Sequence, residues 1–280
     1  MKALVIGCGR ILYKHLESVK KFKNEIQIIG ICDINSKKLK QLENKYNYNT
    51  YTDYKKAIKN LKPQLVIVLT PTGLHAEHTI FALQNHCHVI LEKPMCLKIS
   101  DGKKIIKVSR KFNKRVFVVM QNKFNLPIKK LREDINKNRF GKLLHGSVNV
   151  RWMRKQKYYD QAKWRGTWKF DGGVISNQAS HHLDLMRTIM GDPISVYAIS
   201  EKHLAKIQCE DTALIIFKFK GKKTGIMEAT TAMRPYDVEG SFSLMGSKGS
   251  AKIGGFALNE ISYYYSNVNL NKKKFKTNPL

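Results

Sequence analysis

Short apolar runs alternate with amphipathic segments over the first 121 residues of the chain. The apolar runs predict strands at residues 2–7, 26–32, 65–70, 88–91 and 116–120. The intervening segments predict helices at residues 10–22, from Asn35 or Ser36 to about Tyr46, from about Gly73 to about Asn85, and at 100–112. Because fully apolar strands that alternate with helices are buried on both faces, this half is expected to form a doubly wound parallel α/β sheet.

The pattern changes beyond residue 121, where apolar and polar residues alternate one by one. The alternation covers residues 144–153, 194–200, 212–219 and 224–231, and a helix is predicted at 178–190. Strict alternation is typical of a mainly antiparallel sheet with one open face. We therefore predict two domains, residues 1–121 and 122–280, with a polar, poorly ordered tail from about Asn267.

The chain is strongly basic, with 51 Lys and Arg against 21 Asp and Glu and a net charge of +30 over 280 residues. Such a charge attracts nucleic acid, anionic lipid or a phosphorylated substrate, or it reflects a lysine-rich surface composition. The densest runs, Lys129-Lys130 and Lys272-Lys273-Lys274, lie in no nucleic-acid motif. Nucleic acid is therefore not the expected partner, and the charge favours an anionic small molecule.

The five cysteines and the N-terminus bear on the cellular compartment. The cysteine number is odd and no Cys-x-x-Cys pair occurs, so free thiols are expected rather than disulfides or a metal site. No apolar run approaches the roughly 20 residues of a membrane span. The segment from Met1 to Gly7 is predicted to be a first strand rather than a signal peptide, so a cytoplasmic protein is expected.

The glycine pair Gly7-x-Gly9 follows the first strand and opens a helix, as in a dinucleotide-binding turn. Gly7 allows the tight turn, and Gly9 lets the backbone approach a pyrophosphate at the helix N-terminus. Leu12 occupies the position that usually holds the third glycine of this motif, where it must push the helix outward or fill a local gap. Arg10 either binds phosphate or faces solvent.

Polar residues follow two other predicted strands of this half. Asp33 ends the second strand, where a carboxylate binds the adenine ribose and favours NAD over NADP; the alternative is a turn or helix-capping aspartate. Thr70, Pro71 and His75 lie at the carboxyl end of the strand at 65–70, at the sheet edge where ligands bind. For His75 the alternative is a residue that starts a helix and contacts no ligand.

With Glu92-Lys93-Pro94 added, the chain resembles the Gfo/Idh/MocA oxidoreductases from Met1 to about Tyr265. The resemblance rests on the motifs GCGRIL with His15, CDIN, TPTGLH, EKPM and GGVISNQASHHLD. Segments 158–160, 163–168, 171–173 and 254–259 further resemble the members that oxidise carbon 3 of UDP-linked N-acetylated sugars. The resemblance implies NAD as cofactor, a nucleotide-sugar substrate from polysaccharide or lipid A synthesis, and a homodimer or homotetramer formed through the open sheet.

The same resemblance assigns Lys93 and His181 as the catalytic residues that meet the reacting hydroxyl group. It implies cofactor contacts from Glu92 and from Arg10 and Ile11 in the turn, and a cis peptide bond before Pro94.

Four residues are expected to bind the substrate. If residues 177–184 are helical, Asn177 and Asp184 share a face with His181 and contact the substrate, whereas His182 points elsewhere. Trp164 and Arg165 are expected to contact the nucleotide sugar. The alternatives are a structural carboxylate for Asp184, and a buried aromatic beside a surface arginine for Trp164 and Arg165.

Leu12 and the short C-terminus also fit a fragment or a divergent protein. Two other functions therefore stay open, a different sugar or polyol dehydrogenase and a non-catalytic NAD- or anion-binding protein.

Overall fold

The computed structural model describes residues 1–266, so the tail from Asn267 and the Lys272–Lys274 run lie outside the described residues. The chain divides into two compact units, Met1–Val119 and the residues from Met120 onward. Within the described part, no helix combines the length and apolar composition needed to cross a bilayer. All five cysteines have free thiols, as predicted.

The N-terminal unit is a six-stranded parallel sheet covered by helices. Strands β1 to β6 are Lys2–Ile6, Gln27–Cys32, Asn49–Tyr51, Leu65–Val68, His88–Leu91 and Val116–Val118. Helices α1 to α5 are Leu12–Lys20, Ser36–Tyr46, Tyr54–Leu61, His75–Gln84 and Ile99–Lys111. The strand order is β3-β2-β1-β4-β5-β6 and every pair is parallel, which confirms the predicted doubly wound sheet.

Alternate residues of β1 pack into two different cores, one on each face of the sheet. Leu4 and Ile6 join one buried cluster, and Ala3 and Val5 join the other. This double burial explains why the strand is an uninterrupted apolar run. Between β1 and β4 the strand order reverses, which leaves a crevice at their carboxyl ends where such sheets bind ligands.

The C-terminal unit is a seven-stranded sheet that packs helices on one face. Strands β7 to β13 are Leu143–Arg151, Pro193–Glu201, Thr212–Phe219, Thr224–Thr230, Glu239–Gly246, Gly249–Gly254 and Glu260–Tyr265. Helices α6 to α8 are Leu126–Asn136, Gln156–Asp160 and Ser180–Met190. The strand order is β13-β12-β11-β7-β10-β9-β8, and every described pair is antiparallel except β7 with β10, which confirms the mainly antiparallel prediction.

One face of this sheet is the core and the other is open. Met186 and Ile189 of α8 pack with inward residues such as Val148 and Phe242. Along β9, buried and exposed residues alternate, as the sequence pattern predicts. Exposed apolar side chains therefore stand on the open face, at Tyr197, Leu214, Ile216 and Ile226.

Candidate active site

The turn between β1 and α1 leaves no room for a side chain at its first glycine. Gly7 has φ +96°, and a Cβ there would lie 2.8 Å from the carbonyl carbon of Leu69 and 2.9 Å from the amide nitrogen of Thr70. A Cβ on Gly9, by contrast, would meet no atom within 4 Å. The turn therefore packs tightly against the end of β4 and stays open at Gly9, as approach by a pyrophosphate requires.

Asp33 is tied to the glycine turn. Its Oδ2 accepts a hydrogen bond from the Cys8 amide at 2.6 Å, and its Oδ1 accepts one from the Asn35 amide at 2.9 Å. The cap of α2 is Asn35, whose Oδ1 accepts from the Lys38 amide. A carboxylate offers about four lone-pair sites, so Asp33 can accept ribose hydroxyls while holding the turn.

The residue at the third glycine position fills a gap in the core. Leu12 begins α1, is 1% exposed, and belongs to the same buried cluster as Val5 and Leu16. Arg10 and Ile11 stand on the exposed side of the same turn. Leu12 is thus a packing residue that leaves the open surface of the turn to its neighbours.

The turn after β4 holds a buried histidine. The His75 ring is 1% exposed, with Nδ1 2.8 Å from the Pro94 carbonyl oxygen and Nε2 2.8 Å from the Thr70 carbonyl oxygen. Burial lowers the pKa of His75, although both carbonyl contacts oppose that change. Main-chain oxygens therefore face both ring nitrogens, which favours the alternative that His75 starts α4 without contacting a ligand. Thr70 and Pro71 remain half-buried beside it.

The segment Glu92-Lys93-Pro94 leaves β5 at the same edge of the sheet, and its Lys93–Pro94 bond is cis, as the resemblance implies. Glu92 Oε1 lies 2.7 Å from His15 Nε2, and Oε2 accepts the Lys93 amide at 3.2 Å. The sequence contained His15 only as part of a motif. Its pairing with Glu92 depends on how α1 packs beside β5.

The second group of candidate residues lies in the C-terminal unit, on the segment before α8 and on α8 itself. Residues Val174–Gln178 form a π-helical turn, and α8 begins only at Ser180. The predicted spacing of Asn177 on one continuous α-helix is therefore wrong. Asn177 is instead held by its side-chain amide, which donates to Oδ1 of the buried Asp171.

The adjacent histidines at the start of α8 have different environments. His181 is half-buried, whereas His182 is fully buried and meets the Trp152 ring edge to face at 5.7 Å. Desolvation lowers the pKa of His182 to about 4, so this ring is neutral at physiological pH. Of the two, only His181 has an accessible position.

A lysine that the sequence analysis missed pairs with Asp184. Lys123 Nζ lies 2.7 Å from Asp184 Oδ2, on a short helical turn at Gln121–Phe124. No motif singled it out, because its partner lies 61 residues further along the chain. The ion pair holds the Asp184 carboxylate in place, and the Asp184 side chain is 20% exposed.

Arg165 lies between two aromatic rings. Its guanidinium is 4.4 Å from the centre of the Tyr158 ring and 4.6 Å from that of Trp164. Arg165 Nη1 donates to the Tyr158 hydroxyl at 2.5 Å, and Gln178 Nε2 lies 3.0 Å from the same oxygen. Trp164 and Arg165 are thus joined through Tyr158 to the π-helical turn that carries Asn177.

A cavity of about 870 Å³ opens beside this cluster. Four basic residues line it: Lys163, Arg165, Lys202 and Lys206. Asp160 is the one carboxylate among its lining residues. The cavity has the charge and size to take a phosphorylated ligand.

Two family models match the chain. An oxidoreductase family model with an NAD-binding Rossmann fold matches residues 1–120. A Gfo/Idh/MocA C-terminal domain model matches residues 128–252.

Solved structures and curated relatives of known activity are similar to the chain. It is 34% identical to the WlbA dehydrogenase of Chromobacterium violaceum, crystallised with NADH and UDP-GlcNAcA, at a TM-score of 0.94 over 98% of this chain and 79% of that one. The WlbA dehydrogenase of Bordetella pertussis, crystallised with the same ligands, is 32% identical to this chain. Its TM-score is 0.94 over 98% of this chain and 79% of that one. The myo-inositol 2-dehydrogenase of Thermotoga maritima is 26% identical over 89% of this chain and 74% of its own length.

Proposed function

The chain belongs to the Gfo/Idh/MocA family of NAD-binding oxidoreductases, and from that premise we propose that it oxidises the 3-hydroxyl group of a UDP-linked N-acetylated sugar. UDP-N-acetylglucosaminuronate is the first candidate substrate, and the product would enter the synthesis of surface polysaccharide or lipid A sugars. The observation that carries the proposal is the similarity over 98% of the chain to two dehydrogenases crystallised with UDP-GlcNAcA.

The N-terminal unit supplies the cofactor site in this proposal. Gly7 sets the turn, Gly9 admits the pyrophosphate, and Asp33 accepts the ribose hydroxyls. Arg10, Ile11, Thr70, Pro71 and Glu92 border the same carboxyl edge of the sheet. Bound NAD supplies the acceptor for the hydride that leaves carbon 3.

The alcohol needs a base for its proton and a positive charge beside the developing alkoxide. We assign these roles to His181 and Lys93. An imidazole suits proton abstraction near neutral pH. The Lys93 ammonium donates a hydrogen bond to the reacting oxygen and takes part in passing the proton on.

The C-terminal unit recognises the sugar nucleotide. Asn177 and Asp184 are held by Asp171 and Lys123, so their polar atoms are positioned before a ligand arrives. Arg165, stacked with Trp164, suits the planar contacts that arginine makes with diphosphate or carboxylate groups. The net charge of +30 adds general attraction for the anionic substrate.

The open face of the seven-stranded sheet is the proposed homo-oligomer interface. Leu214, Ile216 and Ile226 are about half exposed there, and burying such side chains stabilises association. Light scattering after size exclusion tests this part. A monomer at micromolar concentration would contradict it, and Ile216→Lys should dissociate the oligomer.

A single-turnover assay tests the proposed reaction. The purified protein is mixed with NAD and a stoichiometric amount of UDP-N-acetylglucosaminuronate or UDP-N-acetylglucosamine, and NADH absorbance is followed. We expect a stoichiometric rise with one of them, lost in Lys93→Met and His181→Asn. Matched controls are Lys104→Met on the exposed side of α5 and His86→Asn, at an exposed position whose φ of +61° asparagine tolerates.

Other outcomes discriminate the alternative functions. Turnover of free myo-inositol or hexose without response to UDP-sugars would favour a polyol dehydrogenase, as the 26% identity to a myo-inositol 2-dehydrogenase suggests. NAD binding without turnover of any sugar, together with salt-sensitive nucleic-acid binding unaffected by Lys93→Met, would favour a non-catalytic anion-binding protein.

A further inference from the structure

Two histidines from different helices contact the two ends of the Glu92-Lys93-Pro94 segment. His15 lies on α1 and meets the Glu92 carboxylate, and His75 lies at the start of α4 and meets the Pro94 carbonyl oxygen. Lys93 stands between these two contacts. The pairings span 77 and 19 residues of sequence, so both depend on the tertiary fold.

The first contact is a shielded bridge through one carboxylate. Glu92 Oε1 is 2.7 Å from His15 Nε2, while Oε2 accepts the Lys93 amide at 3.2 Å. The side chains of His15 and Glu92 are only 14% and 15% exposed, so water competes weakly with the pair. A side chain of α1 thereby orients the carboxylate that holds the Lys93 backbone.

The second contact joins the segment to the preceding strand end. The buried His75 ring lies within 2.8 Å of the carbonyl oxygens of both Pro94 and Thr70. Carbonyl oxygens only accept hydrogen bonds and a neutral imidazole carries one N–H, so the ring donates to one of the two oxygens and lies in contact with the other. His75 therefore fixes the spacing between the loop after β4 and the loop after β5.

We propose that His15 and His75 are positioning residues that clamp the backbone of Lys93, so that its ammonium group is positioned for the reacting oxygen before the substrate reacts. The inference rests on the proposed role of Lys93 and adds two residues that act through the backbone on either side of it. Preorganisation of this kind acts on the rate of the chemical step more than on binding, because a small displacement of a catalytic group slows reaction strongly.

Hydrogen exchange tests the clamp without requiring turnover. In His15→Leu the Glu92 carboxylate loses its partner, so the Lys93 amide should exchange with deuterium about tenfold faster or more, the effect of losing one charge-assisted hydrogen bond. His15→Gln keeps an N–H donor at similar reach and should retain slow exchange. His88→Gln changes a histidine at the opposite end of the same strand and serves as the control.

Kinetics test whether the clamp serves catalysis. We expect His15→Leu to lower kcat by about tenfold to a hundredfold and to raise the KM for NAD by a smaller factor, because Glu92 also borders the proposed cofactor site, with His15→Gln restoring most of the rate. The double variant His15→Leu with Glu92→Gln should be no slower than the slower single variant. His75→Gln should lower kcat similarly if circular dichroism shows it folded; otherwise the His15 series decides.

Three results separate the possible failures. Unchanged exchange of the Lys93 amide in His15→Leu overturns the clamp, whether or not the protein turns over a sugar. Faster exchange with unchanged kcat overturns the positioning role. A wild-type protein that oxidises no sugar overturns the proposed function, while the exchange experiment still decides whether His15 holds the Lys93 backbone.

Discussion

Replacing Gly9 by alanine should separate cofactor binding from folding. A methyl group at Gly9 meets no protein atom within 4 Å, and the backbone there lies outside the left-handed region. We therefore expect the free energy of unfolding to change by no more than about 0.5 kcal/mol. A pyrophosphate that approaches the backbone at this position would instead collide with the methyl group.

The magnitude for binding follows from that collision. Overpacking by one methyl group costs about 1–3 kcal/mol, which corresponds to an NAD dissociation constant raised by about 5-fold to about 150-fold.

Gly7→Ala is the matched comparison, because its Cβ would lie 2.8–2.9 Å from main-chain atoms of Leu69 and Thr70 at φ +96°. That variant should lose about 2–5 kcal/mol of folding stability from backbone strain and overlap.

Denaturant unfolding and titration of NADH fluorescence measure the two quantities separately. The expected pattern is a stable Gly9→Ala that binds NADH weakly and an unstable Gly7→Ala. If Gly9→Ala bound NADH with wild-type affinity, the pyrophosphate would not lie on this turn. If it unfolded as easily as Gly7→Ala, the open space at Gly9 would be an incorrect description of the folded protein.

Three further predictions concern a core histidine, the third glycine position and cofactor choice. Since burial lowers the pKa of His182 to about 4 from an ordinary 6.5, its contribution to stability is complete above about pH 6.5 and falls as pH drops towards 4, by up to about 3 kcal/mol. His182→Phe should flatten that dependence in unfolding curves taken across this range, and an unchanged slope would contradict the assignment. Leu12→Ala, although it restores a small residue, should cost about 2–5 kcal/mol in denaturant unfolding because it empties a core position; a more stable variant would refute this. Asp33→Ala should weaken NAD binding by about tenfold and narrow the preference for NAD over NADP in fluorescence titrations. The control Asp53→Ala, which removes the cap of α3, should change neither quantity. An unchanged ratio of the NAD and NADP dissociation constants would exclude Asp33 from the ribose site.

The sequence alone determined the class of each half of the chain. The apolar runs of β1, β2, β4 and β5 were predicted as buried parallel strands, because burial on both faces leaves polar residues only at the first position of such a strand. Alternation likewise identified β7 to β10. It missed β3, which has three residues, and the last three strands, β11 to β13; in β11 the buried Ser241 and Gly240 interrupt the apolar pattern.

Tertiary structure decided which side chains meet. Periodicity reports burial on one element, whereas the pairing of His15 with Glu92, or of Lys123 with Asp184, depends on which elements lie side by side. The sequence motifs include His75, His181 and His182, yet only the packing shows that His75 and His182 are buried. A local pattern indicates which face of its helix or strand a residue lies on. The partner across the fold is fixed by strand order and helix docking, which no local pattern contains.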